Sequence, residues 1–236
     1  MPDTAHIASP EPDRNSIEAR ALASLGISGG ERHYAWTVRG LEAALQRATS
    51  ILDLGCGTGL FGKFLRERFG QRPDGIDVVR QPGFCEESYA SFELRDLNAS
   101  PPASKTYDLI FAIGLIEYLS DPRAFFHSLV PLLAPGGTLV LTAPNPASLR
   151  SLLSLAVRGE FSAFRESSNP ASITPVLPVD AVRMLREAGF ADAHVDYFAM
   201  GRMPWCRNLR YQQLIPFLTG RLWSDDFRCI ARKALT

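Results

Sequence analysis

The chain has 236 residues, 46% of them hydrophobic, 14 Phe and a formal net charge of zero. That length suits one domain, and the apolar fraction is ample for a core. A neutral chain exerts no overall field on nucleic acid, so no nucleic-acid partner is expected, and no run approaches the roughly 20 apolar residues of a membrane span. The N-terminus lacks a basic start followed by an apolar stretch, so no secretory signal is expected and a cytoplasmic location is the default. Cys56, Cys85, Cys206 and Cys229 are scattered, with no C-x-x-C pair and no companion histidines. That pattern argues against a zinc site and against a disulfide framework, and no metal is expected.

In chain order, residues 1–33 read as an N-terminal lead-in, rich in Pro, Asp and Ser up to about Asn15. Residues 34–236 read as a single domain. Leu41, Ala44 and Leu45 predict a helix over Tyr34–Ala48, and Ser50–Leu54 a first strand. Three glycines at alternate positions follow, then a helix over about Leu60–Arg68. Gly75–Val78, Ser91–Leu94 and Tyr107–Ala112 are the next strands, the last with an apolar run that suits burial on both faces. Asp121 as N-cap and Pro122 at the first position open a helix through Leu133. Pro135-Gly136-Gly137 reads as a turn, and Thr138–Thr142 as the fifth strand.

The rhythm then breaks. Residues 145–178 read as a substrate-side insertion with a helical piece at Leu149–Val157. Pro178-Val179-Asp180 caps a helix over Ala181–Ala188, which Gly189 closes. Ala193–Phe198 and Phe227–Arg232 are strand-like. Between them, residues 200–224, rich in Trp, Met, Pro and Arg, read as a second insertion. Alternating strands and helices predict an α/β fold with a mostly parallel sheet and helices on both faces.

The chemistry concentrates at Ile51-Leu52-Asp53-Leu54-Gly55-Cys56-Gly57-Thr58-Gly59. Strand, glycine turn and helix together make a nucleotide-binding βα unit, because the glycines let a ligand approach the backbone. Two cofactor classes compete for it. Gly57, Gly59 and Gly62 satisfy G-x-G-x-x-G, and Asp77 lies 20 residues after Gly57, as a dinucleotide site asks. Asp53, however, would set a carboxylate near the pyrophosphate, where like charges repel. It favours instead a ligand with an ammonium group and no phosphates, such as S-adenosylmethionine.

The sequence D-L-G-C-G-T-G resembles the first motif of class I S-adenosylmethionine-dependent methyltransferases. Tyr107-Asp108-Leu109-Ile110 and Leu133-Ala134-Pro135-Gly136-Gly137-Thr138-Leu139 resemble that family's fourth- and fifth-strand signatures. The resemblance implies a Rossmann-like, seven-stranded, mostly parallel sheet with an antiparallel last strand. It also implies a cofactor site, with S-adenosylhomocysteine as product, formed by Asp53, Gly55, Cys56, Gly57 and Gly59, by Asp77 with Val78, by Asp96 with Leu97, and by Ile113. Asp77 would hold the ribose hydroxyls and Asp96 the adenine amine, although Asp96 serves equally as a turn cap. Cys56 reads as a small residue that fits the turn. Tyr34 and Trp36 would lid the methionine end or pack in the core.

Relatives of the ubiquinone-biosynthesis O-methyltransferase type often carry Glu-His after the fourth strand, where this chain has Leu115-Ile116-Glu117-Tyr118. With the histidine missing, Glu117 and Tyr118 are the candidates to orient or deprotonate an acceptor. His127 reads as partly buried structure and Asp108 as structural. Over residues 200–236 seven basic residues stand against two acidic ones, interleaved with Trp, Tyr, Phe and Met. That mixture predicts an anionic or amphiphilic small-molecule acceptor, such as a phosphate-bearing glycan or lipid-linked precursor, recognised in part by Arg207 and Arg210. The expected activity is methyl transfer to O or N by a monomer or homodimer. A non-catalytic S-adenosylmethionine-binding protein and an NAD-dependent oxidoreductase are the alternatives.

Overall fold

The computed structural model describes residues 30–99, 105–165, 171–198, 200–204 and 206–235, with the side chains of 206–208 left aside. Residues 1–29 of the expected lead-in, Trp205 and the Arg207 side chain therefore lie outside the described residues.

Seven strands form one sheet in the order β3-β2-β1-β4-β5-β9-β6. They are β1 (Ile51–Leu54), β2 (Asp74–Asp77), β3 (Ser91–Leu94), β4 (Tyr107–Ile113), β5 (Leu133–Pro144), β6 (Phe190–Tyr197) and β9 (Asp226–Lys233). β9 runs antiparallel to both β5 and β6, and the other neighbours in the sheet pair in parallel. β6 therefore points the same way as β1 and β4, so the carboxyl ends of six strands share one edge. Ligands of open α/β sheets bind outside that edge.

The period of two along β4 builds both sides of the core. Ile110 joins Leu52, Leu139, Phe126 and Leu185 on one face, whereas Leu109 and Phe111 join Ile51, Val140, Leu45, Phe61 and Leu65 on the other. Helices α1 (Glu31–Val38), α2 (Glu42–Arg47) and α3 (Leu60–Phe69) lie on the second face. Helices α4 (Pro122–Leu129) and α6 (Pro178–Ala188) cover the first, and α5 (Leu149–Arg158) follows β5.

Several local expectations shift. The helix expected over Tyr34–Ala48 is two helices, because Gly40 adopts φ +82° between them. The α-helix from Pro122 ends at Leu129, and a 3₁₀ turn spans Val130–Leu132. Pro135-Gly136-Gly137 does not separate helix from strand. It lies inside β5, where register jumps from Tyr107↔Leu133 to Leu109↔Thr138. The extra residues bulge out, with Gly136 at φ +72°. His127 is exposed rather than partly buried, because Phe125, Phe126 and Leu129 occupy the core face of α4. Within 200–224 the chain forms a small hairpin, β7 (Arg202–Met203) with β8 (Cys206–Arg210), and a single turn of helix, α7 (Tyr211–Leu214).

Candidate functional site

The glycine turn sits at the carboxyl edge, between β1 and α3. Gly55, Gly57 and Gly59 adopt φ of +70°, +55° and +78°, which side-chain-bearing residues rarely tolerate. The turn is braced from below. Gly55 and Cys56 N–H both donate to the Ile76 carbonyl at 2.8 and 3.2 Å. Gly57 N–H donates to Asp77 Oδ2 at 2.8 Å, and Gly59 N–H to the Cys56 carbonyl at 2.9 Å. Above Gly57 the space is open, since nothing lies within 4 Å of where a Cβ would stand. The backbone thus offers a ligand room rather than free donors.

Asp53 is 2% exposed, and burial raises its pKa to about 7. Tyr89 Oη donates to Asp53 Oδ2 at 2.6 Å and accepts from Gly62 N–H at 3.1 Å. The Tyr89 ring fills the space left by two glycines. A Cβ on Gly62 would fall 2.3 Å from Tyr89 Cε2, and one on Gly75 2.7 Å from Cδ1. Third in the G-x-G-x-x-G pattern, Gly62 therefore makes room for a tyrosine rather than for a phosphate. Sequence reading missed Tyr89, which lies 36 residues from its partner; two glycines facing one aromatic are visible only after folding.

Because the Tyr89 hydroxyl stabilises the ionised form of Asp53, Tyr89→Phe should raise the Asp53 pKa further. Any cation that binds Asp53 must find it deprotonated. The pH below which affinity for S-adenosylmethionine declines should therefore move upward in Tyr89→Phe. Calorimetric titrations between pH 6 and 9 check this, and coincident pH profiles for both proteins would contradict it.

The remaining predicted residues spread along the same edge. Asp77 ends β2, is raised in pKa chiefly by burial, and accepts from Gly57 and Val79 N–H. Val78 beside it is half-buried. Cys56 is buried, and burial pushes its thiol far above the usual range, which makes it unreactive. Asp96 accepts from Asn98 N–H at 2.9 Å in a side-chain-closed turn. Asn98 Oδ1 in turn accepts from Ser120, so this loop is tied to the one after β4. Leu97 packs on the core and Ile113 is buried at the end of β4. Tyr34 packs against Phe61 and Phe64, with ring centroids at 5.4 and 5.9 Å. Asp108 is at the opposite edge, accepting from Thr49 and Ser50.

Glu117 stands in the 3₁₀ turn Ile116–Tyr118, past the carboxyl end of β4. Gly114 precedes the turn at φ +60°, a conformation that favours glycine, and a Cβ there would only touch Glu117 Oε1 at 3.5 Å. Glu117 is buried, and its Oε2 has no hydrogen-bond partner among the described residues. Burial first, then the charge of Asp226, raises its pKa to about 8. The Thr142 hydroxyl, near the end of neighbouring β5, is also buried without a partner among the described residues. Both belong to the carboxyl ends of neighbouring strands β4 and β5, where buried polar groups lacking a protein partner call for an explanation. Tyr118 is half-buried beside it.

Among the described residues no group of three His, Cys, Asp or Glu could hold a metal ion, and no helix is long and apolar enough to cross a membrane.

Comparison with known proteins adds to this geometry. Residues 29–199, well over half of the chain, match the family described as "Methyltransferase domain". The chain belongs to the methyltransferase-domain family. It is 33% identical over 98 residues to malonyl-[acyl-carrier protein] O-methyltransferase of Hahella chejuensis. It is 28% identical over 103 residues to ubiquinone biosynthesis O-methyltransferase of Aeromonas salmonicida. These matches take in 38% and 40% of this chain, and the chain spans only 34% and 43% of those relatives' lengths. A methyltransferase structure from Archaeoglobus fulgidus, described as SAM-dependent, superposes with TM-score 0.62 at 22% identity. It covers 87% of this chain and 95% of that one, so this methyltransferase-domain protein has the Rossmann-like fold.

Proposed function

We propose that the protein transfers the methyl group of S-adenosylmethionine to an oxygen or nitrogen of a small acceptor bound at the carboxyl edge of the sheet. The observation that carries this reading is the glycine turn with a buried carboxylate behind it and open space above it. The N–H groups of Gly55, Cys56, Gly57 and Gly59 already have protein acceptors. A pyrophosphate would find none of these four free, and would meet the Asp53 carboxylate as well. That disfavours the dinucleotide alternative. An ammonium group suits Asp53, because charge-assisted pairing offsets the burial that keeps the acid near neutrality.

When bound, S-adenosylmethionine supplies a sulfonium methyl whose departure leaves a neutral thioether. The chain's residues then position and deprotonate. Asp53 receives the ammonium group, Gly57 gives it room, and Asp77, its Oδ2 held by Gly57 N–H, faces the ribose hydroxyls. Asp96, Val78, Leu97 and Ile113 line the way towards the adenine. Glu117 is the group best placed to take a proton from the acceptor, its raised pKa suiting general-base work near neutral pH. Holding donor and acceptor in line in a water-poor site supplies the rest.

The acceptor reads as anionic or amphiphilic. Over residues 200–236 basic residues outnumber acidic ones, and the relative from Hahella chejuensis is named for a carboxylate-bearing malonyl acceptor. Turnover of S-adenosylmethionine against pools of small acids and lipid-linked precursors tests the reading. Glu117→Gln should lower kcat by about 10²-fold or more while S-adenosylmethionine affinity holds. Binding without turnover on any acceptor would favour the non-catalytic alternative.

A further inference from the structure

The structure assigns a second binding feature on the same edge, some distance from the glycine turn. A cleft of about 530 Å³ lies beside the end of β6, lined among others by Arg32, Trp36, Arg39, Tyr197, Phe198 and Arg210. Because β6 runs parallel to β4, Tyr197 and Phe198 emerge at the edge that carries Glu117. Arg32 and Trp36 stand at i and i+4 on α1 and turn one face of the helix towards the cleft, which the C-cap residue Arg39 also lines.

Its chemistry is one-sided. Three guanidinium-bearing residues line it, and among the described lining residues there is no Asp or Glu. Arg32 and Arg39 are exposed and form no ion pair among the described residues, whereas Arg228 and Arg202 are held by Asp196 and Asp225. Trp36 is 6% exposed, and its indole Nε1–H has no hydrogen-bond partner among the described residues. A buried donor without an acceptor is costly unless a ligand supplies one. The Trp36 and Phe198 rings lie 4.9 Å apart and, with Tyr197 and Met200, give the cleft an apolar body.

We infer that this cleft binds an amphiphilic anion, a carboxylate or phosphate head between Arg32, Arg39 and Arg210 with its apolar portion against Trp36 and Phe198. Resting on the methyltransferase reading, we further assign that anion to the methyl acceptor itself. β6 stands three strands from β4 in the sheet, so the cleft beside Tyr197 and Phe198 and the Glu117 turn occupy different parts of the same edge. The acceptor is then an elongated molecule, charged at one end and methylated towards the other.

Calorimetry on the whole chain tests this with octyl phosphate, octanoate, octyltrimethylammonium and inorganic phosphate, each below its micellar concentration. At least one octyl anion should bind about tenfold or more tightly than either octyltrimethylammonium or inorganic phosphate. The double charge reversal Arg32→Glu, Arg39→Glu should weaken that binding at least tenfold and leave S-adenosylmethionine affinity unchanged. Trp36→Phe, which keeps a ring but removes the donor, should weaken it several-fold, with melting curves confirming that both variants fold. Equal binding of the octyl cation, or an octyl anion indifferent to charge reversal, would overturn the cleft. Arginine-dependent binding of an octyl anion by a protein that binds no S-adenosylmethionine would leave the cleft standing and overturn its assignment to a methyl acceptor.

Discussion

Asp53→Asn is expected to move stability and cofactor affinity in opposite directions. The folded chain holds Asp53 at a pKa of about 7 against an ordinary 3.8, with burial the main cause. A raised folded pKa means that the native state binds the proton more tightly than the unfolded chain does. The protonated acid is thus tolerated below pH 4, and stability falls as pH rises from about 4 to 7, by up to ~1.4 kcal/mol per pH unit. An asparagine keeps the shape, accepts from Tyr89 and never ionises. The apoprotein variant should therefore gain up to about 4 kcal/mol at pH 8 and almost nothing at pH 4.

The same substitution removes the charge proposed to hold the ammonium group. Affinity for S-adenosylmethionine should fall about 10²-fold at pH 8. The wild-type decline in affinity below pH 7 should vanish. Melting curves at several pH values and calorimetry on one preparation read both effects. A residual slope of stability with pH should survive, because Glu117 carries a raised pKa of the same sign. A variant that is stabilised yet binds S-adenosylmethionine as tightly as wild type would remove Asp53 from the site.

Arg228→Met should have the largest effect on stability alone. Arg228 is 3% exposed, and its Nη1 donates to the carbonyls of Trp36, Thr37 and Arg39 at 2.9, 2.8 and 2.9 Å. Its Nη2 pairs with Asp196 at 2.5 Å. One guanidinium thus satisfies the carboxyl end of α1, where helix carbonyls lack partners, and fastens α1 to β9 and β6. Methionine retains the apolar stem and removes this donor from the Thr37 and Arg39 carbonyls and from Asp196, while the Trp36 carbonyl keeps only the Arg39 N–H at 3.2 Å. Asp196 is partly exposed and solvated once its partner is gone, so the expected loss comes from the carbonyls and is about 2–4 kcal/mol, or roughly 10 °C in melting temperature for a chain of this size. Trp36 emission should shift to the red as α1 loosens, which Trp205→Phe and Trp223→Phe backgrounds isolate. An unchanged melting temperature would show that α1 is held by its apolar contacts instead.

Much of this protein follows from local pattern. The apolar strands Ile51–Leu54 and Tyr107–Ile113 announce themselves by residue type, and Asp121-Pro122 and Gly189 mark helix ends by capping chemistry. Such signals depend on a few neighbouring residues, so they survive without knowledge of the fold. The break at Gly40 and the Pro-Gly-Gly bulge escape such reading, because a glycine does not reveal its own φ and a bulge exists only relative to its partner strand.

The candidate site divides along the same line. The sequence by itself determined the glycine turn, the acids Asp53 and Asp77 near the carboxyl ends of their strands, and the absence of a histidine beside Glu117. These are contiguous or stand at strand ends, where spacing fixes position. Only the tertiary structure decided what surrounds them: Tyr89 behind Asp53, the orphaned Oε2 of Glu117 and Thr142 hydroxyl, and Arg228 reaching 192 residues back to Trp36. Burial, the loss of a hydrogen-bond partner and the company of charges depend on which distant segments meet. No local pattern encodes them, and they are what raises a pKa or leaves a cleft cationic.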